Sequence, residues 1–454
     1  MRSLFVKFEK RIAKSAAAAA LLSAAAFSSL AQNDGSQQNK TGRAGTFAIT
    51  NVRIVTVSGP VIENGTLVIA GGKIAAAGAG VSVPSGAERI DGKGLSVYPG
   101  MIDAGTALGM AEIPLGANAT VDNAEIGTMN ANAKAITGIN PHSSHVNVTR
   151  VNGVTSVFSA PSGGIIAGQG AIINLNGSTQ GEMAIDPTAA LIINFPRIAT
   201  FGGFTPGVGP QTLEFSEAVK RRDTQLDELK KIFTQVENYA RAKDAFAKDK
   251  SLPYIPADLH LEAMIPYVRG EKPIVFSGER ERDIRGIVKF VGEMKVKGII
   301  LGGQEAWKVA ADLKKNNIAV IYTNIYNLPV RDDDPFDYLF EAPSKMQAAG
   351  VRFAISTGDA GAEVRDLPYH AGLASAYGLP KDEALRSVTL YPAQILGIAD
   401  RLGSIETGKI ANLVVTDGDL LEPRTNVKYL FINGRVLPLT SRHTELFESF
   451  KDRK

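Results

Sequence analysis

No cysteine occurs among the 454 residues, which excludes a disulfide framework, thiolate metal ligands and a cysteine nucleophile. The fold must rest on its core alone, and at this length a core of sufficient size can form. Neither sign of charge dominates. With 49 lysines and arginines against 46 aspartates and glutamates, the net charge of +3 offers no electrostatic footprint for nucleic acid or an anionic membrane. Histidine is scarce too, its five copies being His142, His145, His260, His370 and His443.

One apolar run stands out, at the N-terminus. Arg2, Lys7, Lys10, Arg11 and Lys14 precede a stretch rich in alanine and serine, from Ser15 to Leu30. A basic segment, a short apolar segment and small residues at Ser29-Leu30-Ala31 are the pattern of a secretory signal peptide, residues 1–31, with cleavage expected after Ala31. A membrane anchor is the alternative, but a spanning helix takes about 20 apolar residues and this run is shorter. The expectation is an exported, periplasmic protein with no integral membrane segment after cleavage. Residues 32–45 read as a flexible polar linker.

Two β-rich segments bracket the chain. From Thr46 to Tyr98, short apolar runs are broken by Asn64-Gly65 and Gly71-Gly72, which predicts antiparallel hairpins turning at those pairs. Residues 402–440 look similar, with runs at Asn412–Val415 and Val427–Val436. The economical arrangement is one small composite domain built from residues 46–98 and 402–440, with 441–454 as a C-terminal tail. Between them, the runs at Gly153–Phe158, Lys272–Phe276, Gly298–Leu301, Ile318–Tyr322 and Val351–Ser356 fit strands buried on both faces of a parallel sheet. Helical periodicity fills the intervals Asp283–Lys295, Gln304–Lys315 and Pro380–Leu390. The fold class is therefore α/β. Strand–helix alternation over residues 99–401 fits a (β/α)8 barrel, with a doubly wound sheet as the alternative that periodicity leaves open. An inserted amphipathic helix is expected near 212–250, where Leu226, Leu229, Ile232, Phe233, Val236 and Tyr239 share a helical face.

The run Pro99-Gly100-Met101-Ile102-Asp103-Ala104-Gly105-Thr106-Ala107 resembles the strand that opens the barrel in the amidohydrolase superfamily. Two later stretches resemble its imidazolonepropionase-like branch. They are Ala384–Gly397, matching the helix after the last barrel strand, and Leu402–Val415, matching the return into the family's composite β-sandwich, with Asn412 where an aspartate is usual. The resemblance implies a barrel that binds one or two divalent metals, usually zinc, at its C-terminal mouth. Its ligands would be two first-strand histidines, a lysine or glutamate on the fourth strand, one histidine each on the fifth and sixth, and an aspartate on the eighth. Such a set fixes the ion with an open position and lowers the pKa of bound water to about 7.

Carried onto this chain, the histidine positions fall on Gly105, Ala107, Ser277 and Gly302, while Asp359 matches the aspartate. On this reading the family's metal ligands are replaced, no cofactor is assigned, and Asp359 is the candidate catalytic residue. His370, Glu279 and Arg280 are candidates for substrate contact. His142 and His145, three apart, could share a helical face, but Asn140-Pro141 marks a turn and favours ordinary loop or capping roles. The carboxylates Asp103, Glu112, Glu279, Glu305 and Asp359 would lie near the mouth. They could hold Mg2+, Ca2+ or Mn2+, or more simply cap helices and pair with Arg280 and Arg365.

Two functions follow. One is a hydrolase acting on non-peptide C–N bonds of a small cyclic amide or peptide-like substrate, with Asp359 as base or metal ligand. The other is a catalytically silent member that binds a small molecule in the mouth, or pairs as a homo-oligomer or with an active, histidine-bearing relative.

Overall fold

The computed structural model describes residues 41–453 except 114–117, 206–208, 324, 330 and 332; the signal segment therefore lies outside the described residues. Strands β1 (Phe47–Ile54), β2 (Ile62–Ala70), β3 (Lys73–Gly78), β4 (Glu88–Asp91) and β5 (Ser96–Pro99) open the chain. The barrel strands follow as β6 (Met101–Thr106), β7 (Val154–Ser159), β8 (Ile166–Asn174) and β9 (Ala184–Asn194). After the hairpin β10 (Phe201–Thr205) and β11 (Gly209–Thr212) come β12 (Ile274–Gly278), β13 (Gly298–Gly302), β14 (Ala319–Tyr322) and β15 (Phe353–Ile355). The chain ends with β16 (Leu413–Thr416), β17 (Val427–Ile432) and β18 (Arg435–Leu437), before a helix at Arg442–Phe450.

Both ends of the chain pair into one sheet in the order β18-β17-β16-β5-β1-β2-β3, with β4 beside β1. Its core includes Phe47, Ile49, Leu67, Leu413 and Phe431, with Phe47 and Phe431 edge to face at 5.3 Å. The β2–β3 turn falls at Gly71-Gly72, both at positive φ, as the sequence pattern predicts. Asn64-Gly65 does not turn. It lies inside β2, where a side chain at Gly65 would meet Ile54 Cδ1 at 2.6 Å, so glycine there makes room for a core residue of β1.

An amide cluster fastens this sheet to the barrel. The side chain of Asn412 donates to Ser156 Oγ (3.1 Å) and Asn174 Oδ1 (2.7 Å) and accepts from the Asn433 N–H (2.9 Å). Ser156 also donates to Asn174 Oδ1 at 2.8 Å, and the Ser156, Asn174 and Asn412 side chains are buried. Asn412→Ala would leave the Asn433 N–H without its acceptor and the Ser156 and Asn174 oxygens with one donor fewer, and is expected to cost about 2 kcal/mol, measurable by urea denaturation.

The second sheet runs β15-β14-β13-β12-β9-β8-β7-β6 and nearly closes into a barrel. β9, β12, β13, β14 and β15 pair in parallel, as do β6 and β7. The third strand departs from simple strand–helix alternation: β8 is antiparallel to both neighbours. Only residues 160–165 connect it to β7, too few for a parallel crossover, and Gly163 and Gly164 at positive φ turn the chain back. The inserted helix spans Phe215–Lys248 and buries Leu229, Phe233 and Val236. Edge-to-face contacts link Phe233 to Phe290, and Phe290 to Phe195 and Phe276, tying this helix to β9, β12 and the helix Glu281–Met294.

Candidate functional site

Parallel barrel strands deliver their C-terminal ends to one mouth, and the fifth, sixth and eighth strands in order are β12, β13 and β15. The mouth therefore gathers Thr106, Asn194, Ser277, Gly302 and Ser356 from separate parts of the chain.

Asp103 is fully buried where the first strand meets the last. No backbone ladder joins β6 to β15 among the described residues, and this carboxylate bridges the seam instead. It accepts hydrogen bonds from Ser356 Oγ, from the Thr357 N–H (3.1 Å) and hydroxyl (2.6 Å), and from the Gly105 N–H (3.1 Å). Ser356 Oγ also lies 2.9 Å from the Gly105 carbonyl. Burial pushes the Asp103 carboxyl above its ordinary value of 3.8, against the hydrogen bonds from Ser356, Thr357 and Gly105. Its lack of exposure keeps it from meeting a ligand. The sequence placed Asp103 near the mouth but held no signal of this clasp, whose partners lie some 250 residues away.

The lumen beside Gly105 is filled. A Cβ there would fall 2.7 Å from Leu301 Cδ1, 3.3 Å from Ile321 Cγ2 and 3.4 Å from Ser356 Oγ. Ala107 is buried in the same large apolar core that holds Leu108, Met110 and Ile139. At the end of β13 a side chain at Gly302 would overlap the Glu279 carboxylate, which accepts from the Gln304 N–H at 3.2 Å. Leu301 is thus the β13 residue that projects toward Gly105.

Ser277 and Glu279 do come together. They line a cavity of about 270 Å³ with Asn194, Arg197 and Asp283, between the ends of β9 and β12. Asn194 Nδ2 is held by the Gly164 carbonyl at 2.9 Å, which fixes one wall. Nothing local in the sequence singles out Asn194, Arg197 and Asp283, because polar residues at strand ends are ordinary until the topology makes them neighbours. Arg280 is exposed at the N-cap position of the helix Glu281–Met294. Asp359 is exposed four residues beyond the end of β15.

The remaining candidates are dispersed. His370, on the helix Leu367–Ala376, is 2% exposed and packs against Tyr326 with ring centroids 4.2 Å apart and ring planes tilted by 59°. Neither ring nitrogen has a hydrogen-bond partner, and burial lowers its pKa to about 4. His145 Nε2 lies 3.0 Å from the Glu112 carbonyl, while His142 keeps a buried, unpartnered Nδ1. Glu305 takes the capping role expected for a mouth carboxylate, accepting from the Glu281 N–H at 2.8 Å. Its ion-pair partners are Lys308 (2.7 Å) and Arg331 (3.7 Å) rather than Arg280 or Arg365, and Arg365 instead faces Asp366. Burial raises the Glu305 carboxyl, but the hydrogen bonds from Lys308 and the Glu281 N–H, with the two cations, outweigh it and hold the group below its ordinary range. Among the described residues, no three histidine, aspartate or glutamate side chains converge as a metal-holding set.

Comparison with known proteins places this geometry in context. A family model described as "Amidohydrolase family" matches residues 241–437. N-acetylglucosamine-6-phosphate deacetylase of Haemophilus influenzae is 47% identical over 57 residues, 13% of this chain and 14% of that protein. Amidohydrolase tasK of Hapsidospora irregularis is 24% identical over 379 residues, 78% of this chain and 37% of that protein. The chain thus spans well under half the length of either relative. A crystal structure of an amidohydrolase from Thermotoga maritima superposes with a TM-score of 0.75 at 25% identity, covering 86% of this chain and 99% of that one.

Proposed function

Because the chain belongs to the amidohydrolase superfamily, we propose that it is a member in which the barrel mouth serves binding rather than hydrolysis, taking a small polar molecule in the cavity of Ser277, Glu279, Asn194, Arg197 and Asp283. The observation that carries this reading is the filled lumen at Gly105. Leu301, Ile321 and Ser356 occupy the space a first-strand imidazole would need, and Glu279 occupies the space beside Gly302. The residues present do not fit the family's zinc centre. Carbon and hydroxyl groups stand at its centre, and a site that activates water needs three protein ligands converging on one open position. The binding cavity offers instead two carboxylates, a guanidinium, an amide and a hydroxyl, a set suited to a ligand carrying both charge signs.

The hydrolytic reading draws support from one feature: Asp359 is exposed, with no hydrogen bond or ion pair among the described residues. Elemental mass spectrometry of the purified, untagged chain separates the two. The binding reading expects well under one equivalent of metal, and Asp359→Asn leaving ligand affinity unchanged. Stoichiometric metal, or a C–N hydrolysis abolished by chelator and by Asp359→Asn, would replace it with the hydrolytic one. We further propose export to the periplasm, on the strength of the N-terminal signal pattern; cell fractionation tests it.

A further inference from the structure

The opposite end of the barrel carries a second concavity, of about 400 Å³, within the size range of small-molecule sites. It opens where the strands begin. Pro273 precedes β12, Gly298 starts β13, Ala319 starts β14 and Arg352 precedes β15, while Gln394–Gly397, at the end of the helix Leu390–Ile395, complete the lining. The floor is carbon: Val296, Ile299, Ala319, Ile395 and Leu396 are each at most 9% exposed.

The rim is polar and carries excess positive charge, Lys297 and Arg352 against Glu271. Arg352 is exposed, and its guanidinium makes no hydrogen bond or ion pair among the described residues. The Lys297 ammonium reaches only the Glu271 carbonyl, at 3.5 Å. The side-chain amide of Gln394 is likewise unengaged among the described residues. An unpaired guanidinium presents parallel N–H donors whose spacing matches a carboxylate, and an ammonium beside it adds charge without demanding a geometry. An apolar floor under such a rim disfavours a wholly polar anion, whose buried side would lose water without compensation.

We infer that this basal cavity binds a small organic carboxylate, its head on Arg352 and Lys297 and its apolar body on the floor around Ile299 and Ile395. The site is independent of the mouth, because Leu301 and Ile321 fill the lumen above Ile299 and Ala319.

Calorimetric titration of the full chain with hexanoate tests it. Hexanoate is expected to bind, and hexanamide, of the same shape without the charge, at least about tenfold more weakly. Arg352→Gln should weaken hexanoate by about tenfold, and Gln394→Glu, which adds a carboxylate to the rim, should also weaken it. Both positions lie at the rim, so circular dichroism should show both variants folded. Glu363→Gln, exposed beyond the far end of β15, should leave hexanoate binding unchanged. Equal binding of acid and amide, undiminished binding by Arg352→Gln, or no heat at millimolar hexanoate would each overturn the inference.

Discussion

Asp103→Ala is expected to lower the stability of the folded chain by about 4 kcal/mol, because it leaves the Thr357 hydroxyl and two backbone N–H groups unpaired inside the barrel and Ser356 Oγ with the Gly105 carbonyl alone. The loss falls on the seam between β6 and β15, where side-chain bonds stand in for a backbone ladder, so the barrel opens there first. Urea denaturation gives the magnitude, and hydrogen exchange at residues 101–106 and 353–357 gives the location. Asp103→Asn should recover only part of the loss, since its amide oxygen replaces one carboxylate oxygen while its N–H2 is set against a backbone N–H at the other, the Gly105 and Thr357 N–H groups lying on different oxygens. The two variants also separate packing from charge. The folded Asp103 pKa lies above its ordinary value, so its contribution to stability is fully present below about 3.8 and is lost as pH rises through the folded value. Asp103→Asn lacks that slope. An alanine variant as stable as the parent would sink the clasp.

The second large effect concerns His370. Its pKa falls from 6.5 in the unfolded chain to about 4 when folded, so between these values the unfolded chain binds the extra proton. Stability from this group is complete above about pH 6.5 and declines by about 3 kcal/mol as pH falls to about 4. His370→Leu should remove that decline. At neutral pH it should be neutral or stabilising, because both ring nitrogens are buried without partners and an aliphatic side chain has no such requirement. The test is the difference in urea midpoint between parent and variant at pH 7 and pH 5. An unchanged difference would show that His370 is not buried neutral. Asp366 and the tyrosines Tyr326 and Tyr369 adjoin this region, and burial raises all three, so none supplies a ready counter-charge to a protonated imidazole.

Much of the frame was legible without coordinates. Runs such as Gly298–Leu301 and Val351–Ser356 announce buried parallel strands because a strand covered on both faces has no polar side to show. Gly71-Gly72 announces its turn because positive φ there suits glycine. Asn64-Gly65 carries the same local signature and does not turn, since its glycine answers to Ile54 packing across the sheet. The reversed β8 lacks a local signature for a similar reason. Gly168 and Gly170 interrupt its apolar pattern, and the shortness of the 160–165 connection gains meaning only once both flanking strands are known.

By itself, the sequence determined the α/β class, the pairing of both termini into one sheet and the presence of glycine, alanine and serine at positions 105, 107, 277 and 302. These are properties of local period, turn chemistry and residue identity. The tertiary structure alone decided that Leu301 and Ile321 fill the space left beside Gly105, that Glu279 fills the space beside Gly302, and that Asp103 clasps the seam while Asp359 faces solvent. Those outcomes depend on which distant side chains compete for one small volume, and close packing settles that competition only when the whole barrel is assembled.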